Sequence, residues 1–111
     1  MFEDIEDATV AYEEEGVQVI EELDKEVISR GAWATVLFRY RQWERSRNGY
    51  GPDRFTLRRY RRVNGEYRQQ AKFNISSVDQ ARRIVEVLTR WIKEAEDSGA
   101  PGEEALPAEE E

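Results

Sequence analysis

No cysteine and no histidine occurs in the 111 residues. Disulfides, thiolate zinc sites and every Ser/His or Cys/His nucleophilic pair are thereby excluded, and with them most enzyme templates. Asp and Glu are still able to hold a metal, in a geometry that the sequence hides. Apolar runs are short as well: none approaches the roughly 18 residues of a membrane span. The opening "MFEDIEDATV" is acidic where a signal peptide has a basic start and an apolar middle. A soluble, cytoplasmic, non-enzymatic chain with no cofactor and no membrane partner is expected, the nucleoid being one place for it to act.

What is present is charge, unevenly placed. Residues 1–26 hold eleven acids and one Lys, a balance of −10, whereas residues 27–74 hold eleven Arg and one Lys against three acids, a balance of +9. Residues 75–98 are near neutral, and residues 99–111 add five acids and no base. An acidic chain, at −7 overall, has gathered its positive charge in the middle. The densest stretch, "RFTLRRYRRVNGEYRQQAKF" from Arg54 to Phe73, carries six Arg and one Lys against a single Glu.

The length suits one domain. Residues 1–15 and 98–111 lack hydrophobic periodicity and are rich in acids, so both are expected to be disordered tails around a folded unit at 16–97. "VQVIEEL" and "WATVLFRYRQW" are rich in β-branched and aromatic residues and predict two strands, with Gly31 between them. After the turn-forming loop "ERSRNGYGPD", two further strands flank Asn64 and Gly65, a pair suited to a type I′ turn. Ser76 or Ser77 then caps a helix in which Val78, Ala81, Ile84, Val85, Leu88, Trp91 and Ile92 recur at three- and four-residue steps. The expected fold is α+β: a four-stranded antiparallel sheet with one C-terminal amphipathic helix on one face and the other face open. A folded part of about 80 residues with a modest core also predicts a dimer.

Alternation sorts the hairpin. Phe55, Leu57 and Val63, with Tyr67, Ala71 and Phe73, are expected to face the helix. Thr56, Arg58, Tyr60 and Arg62, with Arg68, Gln70 and Lys72, then form the open face. Arg59 and Arg61 break the apolar parity, so the far end of the third strand either leaves the core or contains a bulge. The arginines have a bland reading, a solvated sheet face whose charges discourage edge pairing. Their density, the scarcity of Lys and the interleaved tyrosines favour a sharper one: planar cations for phosphate and aromatic platforms for unpaired bases. The candidate nucleic-acid contacts are Arg39, Arg41 and Trp43 in the second strand, Arg58, Tyr60 and Arg62 in the third, and Arg68 and Lys72 in the fourth. The alternative is a protein-interaction module whose basic hairpin docks an acidic partner.

The element order, with "TLRRY" (Thr56 to Tyr60) in the third strand and "KFNISSVDQ" (Lys72 to Gln80) leading into the helix, resembles the positive cofactor four transcriptional coactivators and their bacterial relatives. Their third strand reads Asp-Ile-Arg-x-Tyr or Trp, which falls on Thr56 to Tyr60, and their fourth ends in Lys-Gly-Ile-Ser/Thr-Leu, which falls on Ala71 to Ile75. "RGAW" before the second strand is similar to the bacterial members. The resemblance spans about residues 17–92. It implies a homodimer that binds single-stranded or melted DNA with little sequence preference on a curved β surface, through Arg58 and Tyr60, with a role beside transcription or repair proteins; the residues themselves leave RNA open as a ligand. The acidic tails are expected either to compete with nucleic acid for the basic face or to keep the protein soluble.

Overall fold

The computed structural model describes residues 1–99. Six strands and one helix follow in chain order among them: β1 (Tyr12–Glu14), β2 (Val17–Ser29), β3 (Trp33–Glu44), β4 (Gly49–Tyr50), β5 (Arg54–Val63), β6 (Glu66–Ile75) and α1 (Val78–Asp97). The strands pair antiparallel in the order β1-β2-β3-β5-β6, with β4 beside the end of β3. The α+β class holds, and the four expected strands are the four long ones. The count of four is corrected to six because two turns close inside segments expected to be irregular. Glu15 and Gly16 take positive φ (51° and 80°) and fold β1 onto β2, and Asn48 (φ 51°) turns the chain so that β4 lies along Trp43 and Glu44. Asn64 and Gly65, with φ of 55° and 80°, make the expected hairpin turn between β5 and β6.

The core is not where the apolar parity of the hairpin placed it. Ala34, Val36 and Phe38 of β3 stand directly opposite Tyr60, Arg58 and Thr56 of β5, and this face is buried, with Val36, Phe38 and Thr56 fully so. Residues 2–10 cover it. Asp4 caps a short 3₁₀ turn, Ile5–Asp7, by accepting from the Glu6 N–H at 2.9 Å. Phe2, Ile5 and Ala8 recur at the three-residue step of that helix type, so one side of the segment points at the sheet. Ile5 and Ala8 join Ala34, Val36, Phe38, Tyr60 and Tyr67 in one buried cluster, with Phe2, Val10 and Val27 packed at its rim. Burying a side chain the size of Ile contributes about 1.5–3 kcal/mol. The disordered tail expected at 1–15 is therefore corrected: its apolar residues find a sheet face to cover. The tail expected at 98–111 lies, from residue 100 onward, outside the described residues.

The helix departs from expectation in the opposite sense. Ser77 caps it by accepting from the Gln80 N–H (3.0 Å), and the Gln80 side chain accepts in turn from the Ser76 N–H (3.0 Å). Yet α1 meets the sheet mainly at the adjoining β6, and none of its residues is buried. Val85, Leu88, Trp91 and Ile92 are exposed, Trp91 at 57%. The sheet face expected beneath the helix is likewise open: Leu37, Leu57 and Phe73 form a row across β3, β5 and β6, with Phe73 55% exposed. The two-residue connection Ser76-Ser77 launches the helix from an edge strand without folding it back. No described helix is long and apolar enough to cross a membrane.

Candidate nucleic-acid interface

The β5–β6 hairpin carries a fault in register that decides which side chains meet. Arg59 stands opposite Ala71 and the next residue, Tyr60, opposite Gln69, so Gln70 is an extra residue on β6. The bulge is on the fourth long strand, across from the parity break at Arg59 and Arg61. Beyond it every β6 side chain changes face. Tyr67, expected beside Ala71 and Phe73, lies instead on the face of Tyr60 and opposite Arg62. The same slip sends Arg68 to the other face, opposite Arg61.

One face thus gathers Arg58, Tyr60 and Arg62 from β5 with Tyr67, Gln69 and Lys72 from β6. The Thr56 hydroxyl donates to Asn74 Oδ1 (2.7 Å) and accepts from Arg58 Nε (3.1 Å), and Arg58 Nη1 donates to Gln69 Oε1 (2.9 Å). This chain of bonds fixes the Arg58 guanidinium against the sheet. Arg62 lies 5.6 Å from the centre of the Tyr67 ring, and the Tyr67 hydroxyl donates to the Gly31 carbonyl (2.8 Å), which holds the ring upright. Tyr60 and Tyr67 are each only 4% exposed, because the Phe2 ring covers them. The open basic face of the sequence reading is in part a closed one. Burial raises the Tyr60 phenol above its ordinary value; Arg58 opposes the shift and Glu22 adds to it.

The remaining expected contacts lie elsewhere. Arg39, Arg41 and Trp43 alternate onto the opposite face of β3. There Arg39 Nε is bonded to Asp53 (2.7 Å), Arg41 is bonded to Glu21 and stacked over Tyr50 at 4.2 Å, and Trp43 meets Tyr50 edge-on. The sheet does not bring all eight residues together. It unites Arg58, Tyr60, Arg62 and Lys72, and adds Tyr67, Gln69 and Phe2, which sequence reasoning missed.

Charge in the hairpin is arranged at a cost. Arg58 stands directly opposite Lys72 and Arg61 directly opposite Arg68. Like charges in that position destabilise a sheet. Among the described residues no carboxylate pairs with Arg61, Arg62, Arg68 or Lys72, whereas Arg30, Arg39, Arg41, Arg47 and Arg54 each have one within 4.0 Å. No group of three or more described acidic side chains is placed to hold a metal ion. No protein-family model matches the chain, and no curated protein or solved structure matches it.

Proposed function

We propose that the protein is a non-enzymatic binder of single-stranded nucleic acid, DNA first and RNA second, and that its contact surface is the sheet face bearing Arg58, Tyr60, Arg62, Tyr67 and Lys72. The observation that carries this reading is the opposed cations Arg58 and Lys72, on the same face as Arg62 and the Tyr60 and Tyr67 rings. A hairpin built for stability alone would place an acid across from an arginine. One built for a phosphate chain leaves the cations unpaired, and the tyrosines supply faces on which bases of any sequence stack. A sheet face of this kind offers no helix for a major groove, so intact duplex is the poorer ligand.

The working unit in this reading is a homodimer. Each chain leaves uncovered an apolar helix stripe at Val85, Leu88, Trp91 and Ile92 and an apolar sheet row at Leu37, Leu57 and Phe73. A second copy would bury both patches at once. In this reading the protein acts in the cytoplasm, beside the transcription or repair factors that its resemblance to the positive cofactor four family suggests. The test is a titration of the protein with a fluorescent single strand of about 20 nucleotides beside the same sequence as duplex. Tighter binding to the single strand is expected, and equal or tighter binding to the duplex would refute the reading.

One observation favours a second reading, in which the face docks an acidic protein segment: an acidic segment, residues 2–10, already lies on it. Quenching of aromatic fluorescence that grows with oligonucleotide length separates the two, since an acidic peptide has no bases to stack.

A further inference from the structure

Residues 2–10 do more than complete the core, because their tip sits on the rings that the proposed ligand needs. The Phe2 ring centre is 5.4 Å from that of Tyr60 at 70° and 6.0 Å from that of Tyr67 at 29°. Both separations fall in the range of paired aromatic rings. The Phe2 carbonyl accepts from the Tyr67 N–H at 2.7 Å, so the tip is also joined to β6 by a single bridge. We infer that residues 2–10 form a resident strap that seats Phe2 where a nucleobase would stack, and that a single strand binds by displacing the tip. The inference rests on the function proposed above and concerns the regulation of that same face.

The strap is held in two unequal halves. Its later half is tied to β2 and the turn after it. Lys25 Nζ donates to the carbonyls of Glu6 and Ala8, Arg30 pairs with Glu6, and Glu22 accepts from both the Thr9 hydroxyl (2.6 Å) and the Val10 N–H (3.2 Å). Ile5 and Ala8 are buried under it. Ahead of Asp4, by contrast, the ring contacts and the backbone hydrogen bond to the sheet are made by Phe2. The extended Asp4, at the start of the 3₁₀ turn, is where the halves divide. The tip can therefore lift without unfolding the part that completes the core.

The tip is also charged like the ligand it would exclude. Glu3 and Asp4 follow the Phe2 ring as phosphates flank a base, and among the described residues neither is paired with Arg62 or Lys72. Arg62 and Lys72 stay available to capture a strand before the ring is displaced. Beside the tip is an open pocket of about 360 Å³ whose wall includes Met1 and Phe2 of the tip with Tyr60, Tyr67 and Gln69 of the hairpin.

A face open only a fraction of the time binds with its affinity reduced by that fraction, so a strap closed nine-tenths of the time or more weakens binding about tenfold or more. The test is the affinity of the full chain for a labelled twenty-residue oligothymidylate, compared between wild type and Phe2→Ala. This substitution leaves net charge untouched and so separates ring competition from general repulsion. Binding about tenfold tighter is expected for Phe2→Ala, with wild-type affinity restored by Phe2→Trp. Phe2→Leu keeps the apolar cover and serves the same comparison if Phe2→Ala fails to fold; it is expected to bind tighter than wild type as well. If wild type binds and the folded variants bind no tighter, the strap is structural and this inference is overturned while the proposed function stands. If no form binds at low salt, both are overturned.

Discussion

The arginines of β3 and those of the β5–β6 hairpin are the same residue on neighbouring strands, and the fold treats them differently. Arg39 and Arg41 are each bonded to a carboxylate, and Arg41 also lies on an aromatic ring. Arg62 and Lys72 have no carboxylate among the described residues, and Lys72 stands opposite a second cation. Positive charge in β3 is spent on holding loops and strands together. At Arg62 and Lys72 it is not used in this way, and the opposition of Lys72 to Arg58 costs some stability. A count of basic residues does not see this difference; the pairing across strands does.

The comparison can be broken or sharpened by substitution. The largest expected effect is on folding: Ile5→Ala, in the strap core, should cost about 2–5 kcal/mol, read as a lowered denaturation midpoint, because a fully packed apolar side chain leaves a cavity. A loss near zero would mean that residues 2–10 are not part of the core. Next, Lys72→Glu should move two quantities in opposite directions. It replaces a like-charge pair across from Arg58 with an opposite one and should stabilise the hairpin by about 0.2–1 kcal/mol, while single-strand affinity falls about tenfold or more. A joint loss of both would remove the claim that the hairpin trades stability for binding.

Smaller still is the expected effect of Arg39→Ala. The exposed pair with Asp53 should contribute about 0.2–1 kcal/mol to stability, and oligonucleotide affinity should change less than about twofold. The smallest is at Tyr60. Its raised phenol pKa means that the associated stability is whole below the unfolded value of about 10 and declines as pH climbs beyond it. Tyr60→Phe should flatten that alkaline decline in thermal melts and leave neutral-pH stability nearly unchanged.

Much of the scaffold was legible because its signals are local. The β-branched and aromatic runs mark the long strands, Asn64-Gly65 marks the hairpin turn, and Ser77 marks the helix start, each through the chemistry of a few adjacent residues. What failed to show was non-local. Phe2, Ile5 and Ala8 carry no strong helical or strand period in so short a segment, and their spacing acquires meaning only beside a sheet that needs cover. Tyr67 was misplaced by parity counting because one extra residue, Gln70, inverts the alternation between it and Ala71. The helix stripe announced that something must cover it, and periodicity alone does not distinguish its own sheet from a second copy. Of the candidate site, Arg58, Tyr60 and Arg62 were found together because the extra residue lies on β6 and leaves the alternation of β5 intact, and Lys72 because no slip intervenes at its pairing with Arg58, whereas Arg68 lies beyond the slip.

The most direct test of the hairpin as phosphate contact is the salt dependence of single-strand binding in wild type, Arg62→Ala and Arg39→Ala. Each phosphate neutralised on a single strand contributes about −0.7 to the slope of log affinity against log salt. Arg62→Ala should make that slope shallower by roughly 0.7, and Arg39→Ala should leave it unchanged. A slope that shifts with Arg39→Ala and not with Arg62→Ala would contradict the assignment of the ligand to this face of the sheet.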